Sequence, residues 1–459
     1  MSEMTCYVCS QSDFHKLEGY HSKSTLLICK GCGNLMHQLD DARKKSLLDY
    51  YRRDYRNMPN AMELLTKHNK IAYIRRWLEK WAVERKAEAA SKGTQGPLGA
   101  DIGAATGYVL SFLKQVGWRV RGTEWDVLRR RFSEHYYGIP LEEELNRKEP
   151  YDLLILYHTL EHIVEPDKKL AEYASALKDD GRFLVSTPYW LETLEEQSGG
   201  ALQTFDHLYH LNHINLFSKT SIQNLFRNAG LEWEWLDDTT YGQTYLLKKG
   251  QKTPIVKEDY KQVAELVQRQ RQAMEVYHQR KFKKAIDLWP NFPEAWLMLI
   301  FQTYGKDPSR QQDMIESLDP NLKRHFRIQV AIAQWLTQMD RLDDAEKAWA
   351  IAFNTRPHAH ALNERAKALV RLGRPLESLP LFNQAAQWDP RNWMECQDWM
   401  AKAACSVPTW DERAQMQMRD ALVKQAEQEG RLKVEINHEN GNADADGKRE
   451  AEQVQASGV

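Results

Sequence analysis

The 459-residue sequence has no apolar run approaching the ~20 residues that a membrane-spanning helix needs. It also has no excess of charge of either sign, because 63 Lys and Arg oppose 64 Asp and Glu. A globally basic nucleic-acid-binding protein and an acidic solvating chain are therefore not expected. The opening MSEMTCYVCS has neither a basic region nor an apolar stretch, so we expect no signal peptide and no membrane insertion.

Cysteine is scarce, and six residues in a chain of this length are too few for a disulfide scaffold. Four of them form two C-x2-C pairs, Cys6 with Cys9 and Cys29 with Cys32. The 19 residues between the pairs match a four-thiolate zinc site in a reducing compartment, so we expect a cytoplasmic protein. Four thiolates leave no position for water, so the zinc would be structural, in a zinc ribbon over residues 1–40. The alternative is four unligated thiols or a redox pair.

Two further segments follow the ribbon. Residues 41–92 carry apolar residues at helical spacing and predict a helical connector. Over residues 93–250, short apolar runs alternate with helical stretches, which indicates an α/β fold with a mostly parallel sheet and helices on both faces. The runs are 98–102, 119–124, 152–157, 182–186, 231–236 and 244–248. A short polar turn joins the last two, so we expect them to form a terminal antiparallel hairpin.

Residues 255–424 show helical spacing without strand patterns and predict an all-α domain. A 33-residue repeat recurs there: Ala333 as Ala366, Ala345 as Ser378, Trp349 as Phe382 and Ala352 as Ala385. The pattern resembles tetratricopeptide repeats, although the Trp and Gly of the consensus first helix are missing. A helical bundle with chance periodicity is the alternative. The polar residues 425–459 are predicted to be disordered.

A glycine-rich loop, Asp101-Ile-Gly103-Ala-Ala-Thr-Gly107, follows the first predicted strand of the α/β segment and opens a helix. Small residues there allow a sharp turn and a close approach of a ligand to the backbone. Glu124 ends the next strand 17 residues after Gly107, where a carboxylate can bind a pair of ribose hydroxyls. The loop lacks the G-x-G-x-x-G fingerprint of dinucleotide-binding proteins.

Five motifs in order resemble class I S-adenosylmethionine-dependent methyltransferases, which have a Rossmann-like sheet. They are the glycine loop, Gly122–Glu124, Tyr151–Ile163 (YDLLILYHTLEHI), Leu177–Pro188 (LKDDGRFLVSTP) and His213–Gly230 (HINLFSKTSIQNLFRNAG). The cysteine module followed by LDYYRRDY resembles a bacterial subgroup with an N-terminal zinc ribbon that is similar to sugar methyltransferases. Ala105 stands where many members have Gly.

The resemblance implies the cofactor and its contacts. S-adenosylmethionine would be bound with Asp101, Gly103 and Gly107 at its methionine end and with Glu124 on the ribose hydroxyls. In such proteins the acceptor sits beyond the carboxyl ends of the strands.

Three titratable residues, His158, Glu161 and His162, follow the strand run 152–157 at the edge where the acceptor would bind. A His with a pKa near ~6.5 can act as a general base at neutral pH, and a Glu can orient it. We therefore predict that the catalytic base lies among the three. Since Leu-Glu-His occurs widely in this superfamily, a packing or cofactor role is the alternative.

A second polar cluster consists of Asp206, His207, Tyr209, His210 and His213. Its spacing does not match metal-ligand geometry. The resemblance implies a substrate-lid segment, with His213 directed toward the pocket. The preceding residues 188–201 are polar and contain a Gly pair, as a mobile lid would.

Three functions fit these observations. The first is a methyltransferase acting on a sugar or glycan-related small molecule; the second is a methyltransferase acting on a protein or glycan recruited by the helical repeats; the third is a non-catalytic scaffold. Stacked helix pairs mostly bind other chains, so we expect a protein partner or self-association through residues 255–424 and no catalytic group from them. Residues 1–40 hold three Lys and no Arg against four Asp or Glu, so we expect no nucleic acid.

Overall fold

The computed structural model describes residues 4–50, 61–188, 211–237, 243–389, 391, 393–406, 421 and 424, without the side chains of residues 48, 61–73, 75, 76 and 321. Most of the predicted lid and the predicted disordered tail lie outside these residues. Met1–Ala404 forms one compact unit and Cys405–Val459 a second. The predicted boundaries near residues 40, 92 and 250 thus fall inside one unit. No helix in the described ranges combines the length and apolarity needed to cross a bilayer.

The strands and helices are numbered here in chain order. The strands are β1 (Phe14–His21), β2 (Ser24–Cys29), β3 (Leu35–His37), β4 (Leu98–Ile102), β5 (Arg119–Thr123), β6 (Tyr151–Tyr157), β7 (Leu177–Thr187), β8 (Asn215–Leu216), β9 (Leu231–Asp237) and β10 (Gln243–Lys249). The helices of the first half are α1 (Asp41–Asp49), α2 (Ala61–Ser91), α3 (Tyr108–Gln115), α4 (Val127–Tyr137), α5 (Pro166–Ser175) and α6 (Lys219–Ala229).

The central sheet has the strand order β5-β4-β6-β7-β10-β9. The first four strands are parallel, and β10 runs antiparallel to both β7 and β9. The predicted α/β sheet and its terminal antiparallel hairpin are therefore confirmed. Asp101 lies opposite Gly122 on β5 and Ile155 on β6, so the carboxyl ends of the three strands meet at one edge.

Helices cover both faces of this sheet. On one face, α5 and α6 contribute Leu170, Ile222 and Phe226 to the core, and on the other α3 packs beside α2. The helix α2 was expected to be a connector, but Ile74, Leu78 and Ala82 place it against the sheet. Apolar spacing shows that a helix has a buried face, but not which surface covers that face.

A second sheet, β1-β2-β3-β8, contains the cysteine module. It is antiparallel throughout, and its last strand comes from the methyltransferase-like segment, with Met36 opposite Asn215. Asn228 on α6 donates its side-chain N–H to the Val8 carbonyl at 2.7 Å. The module and the central sheet consequently share one hydrophobic core, which includes Cys6, Cys29 and Phe217.

The second half is helical wherever it has regular structure in the described ranges. Its helices are α7 (Tyr260–His278), α8 (Phe282–Leu288), α9 (Pro293–Leu297), α10 (Pro308–Ser317), α11 (Pro320–Arg324), α12 (Phe326–Gln338), α13 (Leu342–Thr355), α14 (Ala359–Arg371), α15 (Pro375–Trp388) and α16 (Trp393–Cys405). A π-helical turn, Met298–Thr303, follows α9.

The first and last residues of four helices follow the 33-residue repeat. Helices α12 and α13 recur as α14 and α15, with every first and last residue shifted by 33 positions. The repeated aromatic positions Trp349 and Phe382 are both fully buried. The helix pairs are thus observed, whereas their assignment to tetratricopeptide repeats stays a prediction.

Candidate functional site

The glycine loop has a backbone that favours small residues. Between β4 and α3, φ is +72° at Gly103, +49° at Ala105 and +78° at Gly107. A side chain at Gly103 would collide with the Thr159 hydroxyl, 2.5 Å from the added Cβ, and one at Gly107 would collide with Ser133. Ala105 adopts a left-handed conformation that costs a non-Gly residue about 1–2 kcal/mol.

Glu124 is joined to this loop by hydrogen bonds. Its carboxylate accepts the Ala105 N–H at 2.9 Å and the Asp126 N–H at 3.0 Å. Burial raises the pKa of Glu124, and these N–H groups act in the opposite direction. A carboxylate can accept about four hydrogen bonds, so capacity remains for the two hydroxyls of a ribose.

Asp101 is buried at the carboxyl end of β4, with 4% of its surface exposed. Burial, and secondarily the charge of Glu124, raise the pKa of Asp101 to about 8. A cation placed beside this carboxyl would favour its ionised form. The loop, Glu124 and Asp101 therefore fit a ligand that carries a ribose and a positive charge, as S-adenosylmethionine does.

The turn after β6 holds the predicted catalytic residues. His158 has φ +52°, and its N–H donates to the Ser186 carbonyl at 2.9 Å. Glu161 and His162 follow in a 3-10 turn, Leu160–His162. The Glu161 carboxylate is 2% exposed and lies 3.7 Å from His158 Nδ1 and 3.8 Å from His162 Nε2. The structure thus brings the three predicted residues together around one buried carboxylate.

His213 joins this group. Its ring centroid lies 4.9 Å from that of His162. Ligand atoms of Glu161, His162 and His213 all lie within 4.8 Å of one another. That His213 points toward a substrate pocket stays a prediction. The remaining members of the second polar cluster, Asp206, His207, Tyr209 and His210, lie outside the described residues.

The sequence did not predict the residues that hold the turn after β6 in place. The Asn215 side chain donates to the carbonyls of Leu160, Glu161 and Ile163 at 3.2, 3.4 and 2.7 Å. The Asn212 carbonyl lies 2.8 Å from His162 Nδ1. In the sequence, the one signal for Asn215 was its position as a polar residue between Ile214 and Leu216 in an otherwise apolar run. The structure shows that Asn215 is buried.

The four N-terminal cysteines form one cluster in which all Sγ atoms lie within 4.8 Å of one another. Cys6 and Cys32 sulfurs are 3.6 Å apart, and those of Cys9 and Cys29 are 3.3 Å apart. A tetrahedral zinc with Zn–S bonds of ~2.3 Å holds its sulfurs ~3.8 Å apart. Hydrogen bonds, the largest from Cys32, lower the pKa of Cys29, and Cys29 in turn raises the pKa of Cys6 and Cys32. The donor set therefore fits a thiophilic divalent cation.

The two C-x2-C turns have the same backbone pattern. The N–H groups of Cys6 and Cys29 donate to the carbonyls five residues later, and those of Ser10 and Gly33 donate back to Cys6 and Cys29. Ser10 and Gly33 both have positive φ, at +62° and +76°. Two matching turns that present paired sulfurs to one point are the geometry of a zinc knuckle.

Among curated proteins, no sequence matches this chain. Solved structures with some likeness include three methyltransferases. Magnesium protoporphyrin IX methyltransferase from Synechocystis has 16% identity over 44% of this chain and 97% of its own, with a TM-score of 0.32. An S-adenosylmethionine-dependent methyltransferase from Clostridium acetobutylicum has 14% identity over 40% and 99%, with a TM-score of 0.28. A sugar N-methyltransferase from Streptoalloteichus has 13% identity over 38% and 86%, with a TM-score of 0.29.

At these identities and TM-scores, the three structures do not indicate an activity or an acceptor for this chain. A family model gives the stronger result. Residues 62–234, which run from α2 into β9 and include the glycine loop, Glu124 and the turn after β6, match the model described as a methyltransferase domain. The match covers less than half of the chain and leaves the cysteine module and the helical half outside it. Residues 62–234 are accordingly similar to methyltransferase domains.

Proposed function

We propose that this protein transfers a methyl group from S-adenosylmethionine to a sugar or glycan-related small molecule. The observation that carries the proposal is the close approach of Thr159 to Gly103, where an added Cβ would lie 2.5 Å from the Thr159 hydroxyl. It joins the glycine loop, which fits the donor, to the turn that bears His158, Glu161 and His162. A methyl donor and an acceptor must lie side by side for in-line transfer.

The donor would be held by residues that already form one network. Asp101 and the loop Gly103–Gly107 would surround the methionine end, and Glu124 would accept hydrogen bonds from the ribose hydroxyls. S-adenosylmethionine supplies an electrophilic methyl group on a positively charged sulfur. The chain's own tasks are then to orient both molecules, to exclude water and to remove a proton from the acceptor.

We assign proton removal to the turn after β6. Glu161 is buried between two imidazoles, 3.7 Å from His158 Nδ1 and 3.8 Å from His162 Nε2. His158 is then the base that receives the acceptor's proton, and Glu161 stabilises the imidazolium that forms. Asn215 acts as a positioning residue, because it holds the carbonyls of the turn.

The finer parts of the proposal have separate supports. The sugar or glycan acceptor is supported by the resemblance of the cysteine module and five motifs to sugar methyltransferases. The structural zinc is supported by the geometry of the cysteine cluster, and a cytoplasmic location by the reduced thiols that such a site needs. A protein partner or self-association of the helical half is supported by its stacked helix pairs.

The proposal is tested by methyl transfer itself. Full-length protein is incubated with methyl-labelled S-adenosylmethionine and a panel of nucleotide sugars, and labelled products are identified by mass spectrometry. With a responsive acceptor, His158→Asn should lower turnover at least ~10²-fold and leave donor affinity unchanged. Asn is suitable because it tolerates positive φ. An equal loss of donor affinity would instead place His158 in the donor pocket, and no transfer to any member of the panel would reject the sugar acceptor.

A further inference from the structure

The tautomer of His162 is fixed by its surroundings. A backbone carbonyl oxygen only accepts hydrogen bonds, so the 2.8 Å contact with Asn212 requires the proton on Nδ1. Neutral His162 therefore presents the Nε2 lone pair on its other side. This lone pair lies 3.8 Å from an oxygen of the Glu161 carboxylate. A cation bound to both atoms would be attracted by the lone pair and by the carboxylate charge.

A single proton would not form a good hydrogen bond between Nε2 of His162 and the Glu161 carboxylate. At 3.8 Å, Nε2 and the carboxylate oxygen are farther apart than the ~2.7–3.2 Å of a hydrogen bond. Two ligands that each lie about 2.0–2.2 Å from one tetrahedral metal ion are ~3.3–3.6 Å apart, which is longer than a hydrogen bond. The distance thus matches shared coordination better than a direct hydrogen bond.

The other features of the group also match a metal site. His213 brings a third ligand atom within 4.8 Å of the first two. The Nδ1–H bond from His162 to a backbone carbonyl is the outer contact that orients metal-binding histidines. Asn215 rigidifies the backbone of Glu161 through its carbonyl. Two imidazoles and one carboxylate form the ligand set that leaves positions open on Fe²⁺ and related ions.

We infer that Glu161, His162 and His213 bind a divalent transition-metal ion, distinct from the cation of the cysteine cluster. The Leu160–His162 turn lies just after β6, where the acceptor is proposed to bind, and an ion held there would have coordination positions left for it. Oxygen ligands suit these positions, and coordination lowers the pKa of a hydroxyl. The acceptor class would then be a molecule with adjacent hydroxyl or carbonyl oxygens that can chelate. This acceptor assignment rests on the proposed function, whereas the metal site does not.

The test uses Co²⁺, because its absorption reports the ligand type. Full-length protein is titrated with Co²⁺ in the visible and near-ultraviolet range. We expect one ion with the thiolate charge-transfer absorption of the cysteine cluster and a second ion without it. In His213→Ala the second ion should bind at least ~10-fold more weakly, while the thiolate absorption persists and shows that the variant is folded. His278→Ala, which alters an exposed histidine on α7, should behave as wild type.

Two results would overturn the inference. The first is a wild-type protein that binds Co²⁺ at the cysteine cluster only, which would leave His162 as a protonated imidazolium beside Glu161. The second is an unchanged second ion in His213→Ala. Donor binding is measured on the same samples by calorimetry. Bound S-adenosylmethionine without a second metal rejects this inference alone, and a second metal without donor binding rejects the proposed function alone.

Discussion

At the scale of single residues, the proposed donor site contains the carboxyl group of Asp101, whose burial disfavours the ionised form. Asp101 has a pKa of about 8 in the folded protein, against an ordinary value of 3.8. Between these two values the folded protein holds a proton that the unfolded chain releases. Stability therefore falls as the pH rises from about 4 to about 8. A cationic donor compensates for this loss, since it favours the ionised carboxylate.

Asp101→Asn should remove this pH dependence. The neutral amide does not ionise, so at pH 8 the variant should melt at least about 2–4 °C above wild type, the shift that ~1 kcal/mol produces in a domain of this size. Its affinity for S-adenosylmethionine should fall at least ~10-fold, because the charge opposite the cation is gone. Thermal melts from pH 5 to 9 and calorimetry test both effects. A variant with the wild-type pH slope would show that Asp101 is not the titrating group.

The spacing of residues in the sequence predicts more of the proposed donor site than of the proposed acceptor site. Asp101, Gly103, Gly107 and Glu124 lie within one strand–loop–helix–strand segment, so their local spacing was enough to predict that they lie together. The acceptor turn is different, because Glu161 is fixed by Asn215, 54 residues later in the chain. A contact of that kind depends on how distant segments pack, which single-sequence spacing does not record.

At the scale of elements, α2 is attached to the sheet by a buried charge cluster. The Asp152 carboxylate accepts from Arg85 Nε at 2.9 Å, from Lys178 Nζ at 2.8 Å and from the Leu98 N–H at 2.9 Å. It thereby connects α2, β4, β6 and β7. The strand runs and the hairpin were predicted from apolar patterns, but this role of α2 was not, since Arg85 reads as an ordinary exposed helix residue.

Asp152→Asn should destabilise the protein by ~1–3 kcal/mol, because the charged acceptor that Arg85 and Lys178 share is lost from a buried position, although Arg85 keeps its pairs with Glu88 and Asp180. Asp179→Asn is the matched control, since Asp179 forms an exposed pair with Lys249 at 3.0 Å. Exposed pairs contribute little, so this control should unfold with wild type. Urea titrations of the two variants give the comparison. Equal midpoints for both would mean that the Asp152 cluster does not attach α2.

At the scale of the whole molecule, the cysteine module links the two halves. Its sheet ends in β8, whose Asn215 holds the turn after β6, and Cys29 lies in the hydrophobic core that includes the central sheet. On its other side, Leu26 packs against Val263 and Val267 of α7. The sequence predicted these parts as successive segments, because a linear pattern gives their order but not their mutual contacts.

Cys29→Ser should consequently affect more than metal content. We expect zinc to fall from one equivalent toward zero and the melting temperature to fall by at least about 5 °C, since the module shares its core with the central sheet. Cys405→Ser alters an exposed thiol and should change neither quantity. Elemental analysis and thermal melts measure the two effects. Loss of zinc with an unchanged melting temperature would show that the module is not needed for the fold.

The helical half also lies closer to the acceptor region than was expected. Arg356, just after α13, is half-buried and interacts electrostatically with Tyr157, the residue before His158. Burial lowers the pKa of Arg356, and Tyr157 acts in the opposite direction. That residues 255–424 supply no catalytic group stays a prediction. Substitution of Arg356 would test this prediction.

The central claim is that the glycine loop and Glu124 bind S-adenosylmethionine, and titration calorimetry on the full-length protein tests it most directly. Wild type should bind one equivalent. Glu124→Ala should bind ~1.5–3 kcal/mol more weakly, because the ribose hydroxyls lose a charged acceptor. Glu134→Gln, an exposed change on α4, should bind as wild type does. Folded wild-type protein that shows no binding heat with S-adenosylmethionine, or a Glu124→Ala variant that binds with wild-type affinity, would contradict the account.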